Sequence, residues 1–480
     1  MVPSRAFEKI EFTVYYGMIV HTPRIGDLEV IPNARIGVDS SGIITYVATG
    51  PLLTTIEGEA RTRDPSLQSI NVVDITASGF RKFFIPGFID THIHAPQFPN
   101  CGVFGNSTLF SWLTKYTYPV EMALEDPIKA KDVYNRVVQK TLSNGTTFCA
   151  YYATIHTTAT NILADCAFKH GQRAYIGRSC MDCAKKEYTD QHLEDGIHST
   201  KTVIEHIKSI DANYELIKPI LSPRNANKCS SEFMLWLAEQ SREQGIPIQA
   251  HLSETEDEVE QILKMFPDCK TYAEIYDSHK LLTEKSILGH CIFLSNEELK
   301  LINERKSSIS HCPTSNSCLT SGEARLRWII DSGSKVGLGT DVSGGFSPSM
   351  LTTARHAVLV SRHVAMKTKS DHDKISVNES LYLATLGGAK VMGMEQELGS
   401  FEVGKKWECQ LIDLDTKESP VDLFDFLNPS VEGLLAGDPL HISRFQDLID
   451  KWVFNGDDRN VRRVYVNGRC VLDKDLVDRS

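Results

Sequence analysis

The stretch FFIPGFIDTHIHAPQF, Phe83–Phe98, leads an apolar run into a polar cluster with two histidines, His92 and His94, one residue apart. A strand alternates its faces, so residues i and i+2 point the same way. Both imidazoles therefore enter one site at the end of a buried strand. Pro86-Gly87 marks the entry to that strand.

Outward from this stretch the chain alternates short apolar runs with segments of helical length. The predicted strands are 83–94, 146–153, 173–181, 215–223, 246–251, 286–290, 307–312 and 334–341. Short apolar runs bounded by turns read as strands buried on both faces. Eight such strands, each followed by helix, predict an α/β fold with a closed (β/α)₈ barrel of the TIM type over 83–395. The ends differ. Alternating strands at 9–49, 70–76, 407–415 and 462–473 predict a small β-sandwich domain built from residues 1–82 and 396–480 together. Within these parts, 50–70 reads as a polar connection and 416–455 as a polar and mixed insertion.

Polar residues fall at the strand ends: His92 and His94, Arg224, His251, His290, His311 and Asp341. In a barrel these ends converge on the face where active sites lie. Any one of these histidines would ordinarily be a satisfied core or loop residue. Five of eight strands ending in His or Asp is hard to obtain by chance from 16 histidines in 480 residues.

Imidazole nitrogen with carboxylate oxygen suits zinc, and a catalytic site keeps one position open for water. Iron accepts the same ligands. Strands one, five and eight supply such a set, and no thiolate stands at these ends. A metal brings the pKa of bound water from 15.7 to about 7, and the reaction then needs a proton shuttle. Glu254, three residues after His251 in AHLSE, is placed to lean back over the metal. As a bare sequence feature it would be a helix N-terminal charge. His290 and Asp341 are candidates to hold the attacking water.

Composition excludes several classes. With 51 basic and 62 acidic residues, a net charge of −11 argues against nucleic acid or an anionic membrane as partner. No run of about 18 apolar residues occurs, and the N-terminal twenty residues do not read as a signal peptide. The 12 cysteines are scattered, and the C-x-x-C of Cys180 and Cys183 has no second pair at zinc-ribbon spacing, so free thiols in a reducing cytoplasm are expected. There is no G-x-G-x-x-G between a strand and a helix and no P-loop. Gly344-Gly345 reads as a tight loop beside Asp341.

PGFIDTHIHAPQF, HLSE, GHC, SHCPTSNSCLTSG and GLGTDVSGG resemble the amidohydrolase superfamily. THIHAPQF, WLTKYTYP (112–119), SPR (222–224) and the closing FNGDDRNVRRVYVNGR are similar, within it, to the guanine deaminases. The resemblance spans essentially the whole chain. It implies a barrel with a small β domain, one zinc per subunit, a homodimer, and hydrolysis of guanine to xanthine and ammonia. His92, His94, His251 and Asp341 would hold the zinc, and Glu254 would shuttle protons as hydroxide attacks C2. Gln97 and Arg224 would hold the purine. A primary amide donates and accepts at once, matching a lactam edge, and Arg donates to the ring oxygen. Leu109, Trp112 and Phe98 are candidate walls for a flat ring. Asn225 departs from the family, where an aromatic residue follows the arginine. That loss of stacking is worth roughly 0.5–1.5 kcal/mol. The alternatives are a relative acting on another ring, such as a pterin or triazine, and a non-enzymatic scaffold. Adenine is disfavoured because it lacks a ring carbonyl. A scaffold is disfavoured because every ligand candidate is present.

Overall fold

Phe88–His94, Thr146–Tyr152, Arg173–Gly177 and Ile217–Pro219 pair in parallel in one four-stranded sheet, and Ile248–Leu252, Ser286–His290, Ser308–His311 and Lys335–Leu338 form a second. Two seams close them into a ring. At one, Leu221 bridges in parallel to Ile248. At the other, the Asp341 amide donates to the His92 carbonyl at 2.8 Å and the His94 amide to the Val342 carbonyl at 3.1 Å. The first, second, third, fifth, sixth and seventh of these strands are buried at every position. This is why their sequences read as continuous apolar runs rather than alternating ones. Helices return the chain between strands, and their ends carry ordinary signals. Asn296–Glu304 opens on a Ser295/Glu298 capping box, and Thr157–His170 stops at Gly171 in the left-handed conformation. This computed structural model describes residues 11–183 and 188–477, so the first ten of the twenty residues read as no signal peptide, and the start of the strand segment 9–49, lie outside the described residues.

The opening stretch is two strands, not one. Lys82–Pro86 runs antiparallel to Cys409–Asp413 and beside Thr13–Arg24 in an eight-stranded sheet that draws on both ends of the chain. Phe88–His94 then begins the barrel. The joint is Gly87, where a Cβ would lie 2.2 Å from Thr147 Oγ1, so no side chain fits. An apolar pattern cannot mark this break, because both halves are extended and buried. In the eight-stranded sheet, Trp407 stacks on Tyr15 with ring centroids 4.3 Å apart, and Phe84 and Tyr465 pack around them.

Two segments carry more structure than their polarity indicated. The connection 50–70 contains a helix, Ile56–Arg63, capped by Thr55. The insertion 416–455 contains Pro439–Asn455, which buries Phe445, Leu448, Ile449, Trp452 and Val453. Spaced at i, i+3, i+4, i+7 and i+8 from Phe445 within the 17-residue helix, these five form one stripe of an amphipathic helix. Trp452 stacks on Phe88, centroids 6.2 Å apart, and meets Phe83 edge-on at 5.7 Å. This indole thus spans the joint between the two strands of the opening stretch. Trp452→Ala is expected to cost about 3–5 kcal/mol in urea unfolding. A cost below about 1 kcal/mol would show that the stripe is not a core contact.

No helix among the described residues is long and apolar enough to cross a membrane. All twelve thiols are free, Cys180 and Cys183 included.

Candidate active site

The strand ends bring five of the expected residues into one buried cluster. His94 Nε2 lies 3.1 Å from His251 Nε2. Asp341 Oδ1 lies 3.4 Å from His92 Nε2 and 3.5 Å from His94 Nε2. His290 Nε2 sits 3.8 Å from Asp341 Oδ2. His92, His94 and His251 each present one nitrogen within 4.8 Å of the others, as do His92, His290 and Asp341 their ligand atoms.

Burial holds the proton affinity of His92, His94 and His251 below that of a free imidazole, so their lone pairs stay available. His251 Nδ1 donates to the Arg224 carbonyl at 2.6 Å, which leaves Nε2 as the bare nitrogen facing the cluster. Both ring nitrogens of His92 and Nδ1 of His94 are buried without a hydrogen-bond partner. Burial alone would raise the Asp341 carboxyl, but the His92 ring 3.4 Å away and the surrounding imidazoles hold it well below the usual carboxylate range. Neutral imidazoles gathered on an ionised carboxylate, with both His92 nitrogens left without a hydrogen-bond partner, fit a divalent cation.

The local chain is shaped to allow this. A Cβ at Gly289 would come 2.7 Å from His92 Cε1, so the glycine of SILGH makes room for the ring. Ser253, His290 and Asp341 hold φ of 53°, 70° and 46°. Such left-handed non-glycine residues cost about 1–3 kcal/mol each and persist where surrounding bonds over-determine them. Here they turn the chain sharply at the ends of strands five, six and eight, aiming side chains into the mouth.

Glu254 stands over the cluster, Oε2 3.6 Å from His290 Nε2. Burial pushes its carboxyl up to about 7, with Asp341 and Glu258 adding to the rise against the pull of His290. Its backbone amide donates to Glu258 Oε2 at 2.9 Å, and Ser321 Oγ donates to its Oε1 at 3.4 Å. Burial would lower the His290 imidazole, but Glu254 and Asp341 together raise it. Its Nδ1 donates to Asn316 Oδ1 at 2.9 Å, which turns Nε2 toward the two carboxylates.

Gln97, Arg224, Asn225, Leu109 and Trp112 line the same cavity as His94, His251, Glu254, His290 and Asp341. Trp112 is fixed by its Nε1, which donates to the Val103 carbonyl at 3.0 Å, and it packs with Leu109 and Leu319. Phe98 packs against the main core and is not among the residues lining this cavity. His311 is buried with both ring nitrogens unpartnered, yet it belongs to neither donor group. Asn225 Nδ2 donates to Glu258 Oε1 at 3.2 Å, so its amide is tied to the residue that holds the Glu254 backbone. Gly345 donates from its amide to the Asp341 carbonyl at 2.7 Å, closing the tight loop expected there.

Sequence reasoning missed Glu121, Glu258 and Asn316. Glu121, in the helix Tyr118–Ala123, is fully buried and binds both Gln97 and Arg224. Its one signal was position, two residues after WLTKYTYP; a lone Glu in a helix otherwise reads as a solvated charge.

A barrel whose strand ends gather cation donors, with a carboxylic acid above them, defines a hydrolase that activates water at a metal. Residues 83–471 match the amidohydrolase family. A probable guanine deaminase of Schizosaccharomyces pombe is 41% identical over 460 residues, covering 95% of this chain and 83% of that one. The guanine deaminase of Homo sapiens is 37% identical over 463 residues, 96% of each chain. The crystal structure of guanine deaminase from C. acetobutylicum with bound guanine in the active site superposes with a TM-score of 0.81 at 28% identity, covering 96% of this chain and 100% of that one. The chain belongs to the amidohydrolase family, among its guanine deaminases.

Proposed function

We propose that this enzyme hydrolyses guanine to xanthine and ammonia, using one zinc per subunit held by His92, His94, His251 and Asp341. One observation carries the reading: Gln97 and Arg224, an amide and a guanidinium suited to a lactam edge, line the same cavity as His94, His251, Asp341 and Glu254. The donor set is that of a catalytic zinc, three imidazoles and a carboxylate, with the cavity side left for water. Bound there, zinc acts as a Lewis acid and lowers the pKa of water to about 7.

The chain's own residues do the rest. Gln97 and Arg224 orient the ring by N1–H and O6, so that C2 faces the cluster. Leu109 and Trp112 flank it. As the water oxygen bonds to C2, Glu254 accepts the water's proton and delivers it to N3, so charge does not build up in the ring. Its carboxyl, held near 7 by burial, can both take and return a proton at neutral pH. His290 Nε2, directed between Glu254 and Asp341, steadies the oxygen added at C2. The remaining proton of that oxygen passes through Glu254 to the exocyclic amine. The C2–N bond then breaks, ammonia leaves, and C2 keeps a carbonyl. Catalysis belongs to the barrel segment 83–395, which contains every residue assigned a role; 1–82 and 396–480 make the flanking domain, into which the strand Lys82–Pro86 also folds. The enzyme acts in the cytoplasm as a homodimer.

Ammonia release from a panel of ring amines tests the reading. Guanine is expected to exceed adenine in kcat/KM by about 10⁴-fold, because adenine leaves the buried Gln97 and Arg224 groups unpaired. Equal turnover of adenine would refute the assignment of that pair. Pterin turned over better than guanine would shift the substrate while keeping the reaction.

A further inference from the structure

We propose, on the guanine reading above, that Glu121 is the positioning residue that sets how the ring is read. Its carboxylate accepts from Arg224 Nη1 at 2.6 Å (Oε2) and Nη2 at 2.8 Å (Oε1), and from Gln97 Nε2 at 2.8 Å (Oε1). Glu121 is 0% exposed and Arg224 4%. Without this partner the guanidinium would be a buried charge that nothing nearby offsets.

The consequence for Gln97 is specific. A carboxylate only accepts, so the amide NH₂ must face Glu121. On its other side the Ser343 backbone N–H, which only donates, meets Gln97 Oε1 at 3.2 Å. These two partners permit a single orientation of the amide. Each uses half of a group's capacity, leaving one N–H and one lone pair. That remainder complements a lactam edge, N–H beside C=O, and mismatches an amino-substituted edge. Arg224 is fixed at the same time. Two of its five N–H groups are spent on Glu121, and its guanidinium lies 5.3 Å from the Tyr118 ring centroid. The donors that remain are held in one plane. Among the described residues, Glu121 makes no hydrogen bond to Glu254 or to a metal donor, so its removal should act on binding of the ring and spare the proton transfer.

Glu121→Gln keeps the volume, loses the charge and converts one accepting oxygen into a donor. With zinc content equal to the wild type, its KM for guanine is expected to rise about 10- to 100-fold while kcat stays within about threefold. Glu121→Asp, which retains the charge on a shorter stem, is expected to fall between the two in KM. A Glu121→Gln enzyme with KM within twofold of the wild type would overturn the proposal. So would a fall in kcat and zinc content at unchanged KM, which would make the residue a support of the metal cluster. If Glu121→Gln does not fold, Glu121→Asp decides by the same KM criterion, and failure of both to fold would assign Glu121 to stability instead. Wild-type enzyme that releases no ammonia from guanine would sink the functional reading itself, an outcome separate from any of these.

Discussion

Glu254→Gln is expected to retain its metal and lose about 10²–10⁴-fold in kcat, the range that a positioned general acid–base supplies. The amide keeps the size and can still occupy the pocket beside His290 and Ser321. It cannot accept the water's proton, nor give one to N3 or to the departing amine, so each proton transfer in the scheme fails together. Retention of the metal follows from geometry. Glu254 contacts His290 and Ser321, and the donor groups that gather on the cluster do not include it. KM should change little, since the proposed mechanism leaves the holding of the ring to Gln97 and Arg224. Metal per chain and steady-state turnover of guanine, measured on one preparation, check both halves. Turnover within tenfold of the wild type would remove the proton shuttle from the mechanism.

His251→Ala is expected to be still more severe: folded protein with almost no bound metal and turnover at background, a loss of at least about 10⁴-fold as the pKa of the attacking water returns from about 7 toward 15.7. His251 does two things at once. Its Nε2 faces His94 Nε2 at 3.1 Å, and its Nδ1 ties it to the Arg224 carbonyl at 2.6 Å. The second bond ties this imidazole to the backbone of Arg224, the residue proposed to hold the ring, in the manner of hydrogen-bonded supports of ligating histidines. The variant should therefore also raise the Kd of any ring that binds without turnover. Full metal content in folded His251→Ala would mean that the cation sits elsewhere.

The barrel was legible in the sequence because its strands are buried on both faces and end in chemistry. His92, His94, His251, His290 and Asp341 stand out by residue type against apolar runs. The joint at Gly87 was not legible, since Phe83–Pro86 and Phe88–Ile93 are equally apolar and only the partner strands differ. The helix Pro439–Asn455 was obscured by its polar outer face, though Phe445, Leu448, Ile449 and Trp452 keep helical spacing. Within the site, the residues proposed to meet the reacting atoms could be read from motifs. Residues that act through another side chain could not. Glu121 and Asn316 are remote in sequence from what they hold, Glu258 follows Glu254 by only four residues, and a carboxylate or amide in a helix looks solvated until the fold buries it. Asn225 shows the same limit from the other side. Read alone, it was a missing stacking partner for the purine. In the structure its amide is bound to Glu258, which grips the backbone of Glu254. Asn225→Phe would thus exchange that tether for any stacking it gained.

The most direct measurement of the central claim is xanthine formation from guanine by the purified enzyme before and after chelation. Turnover by metal-replete protein, its loss when the metal is stripped, and its return on addition of one equivalent of zinc per chain are expected. Folded, metal-replete enzyme that forms no xanthine, or chelated enzyme that forms it undiminished, would contradict the assignment of His92, His94, His251 and Asp341 to a metal that hydrolyses guanine.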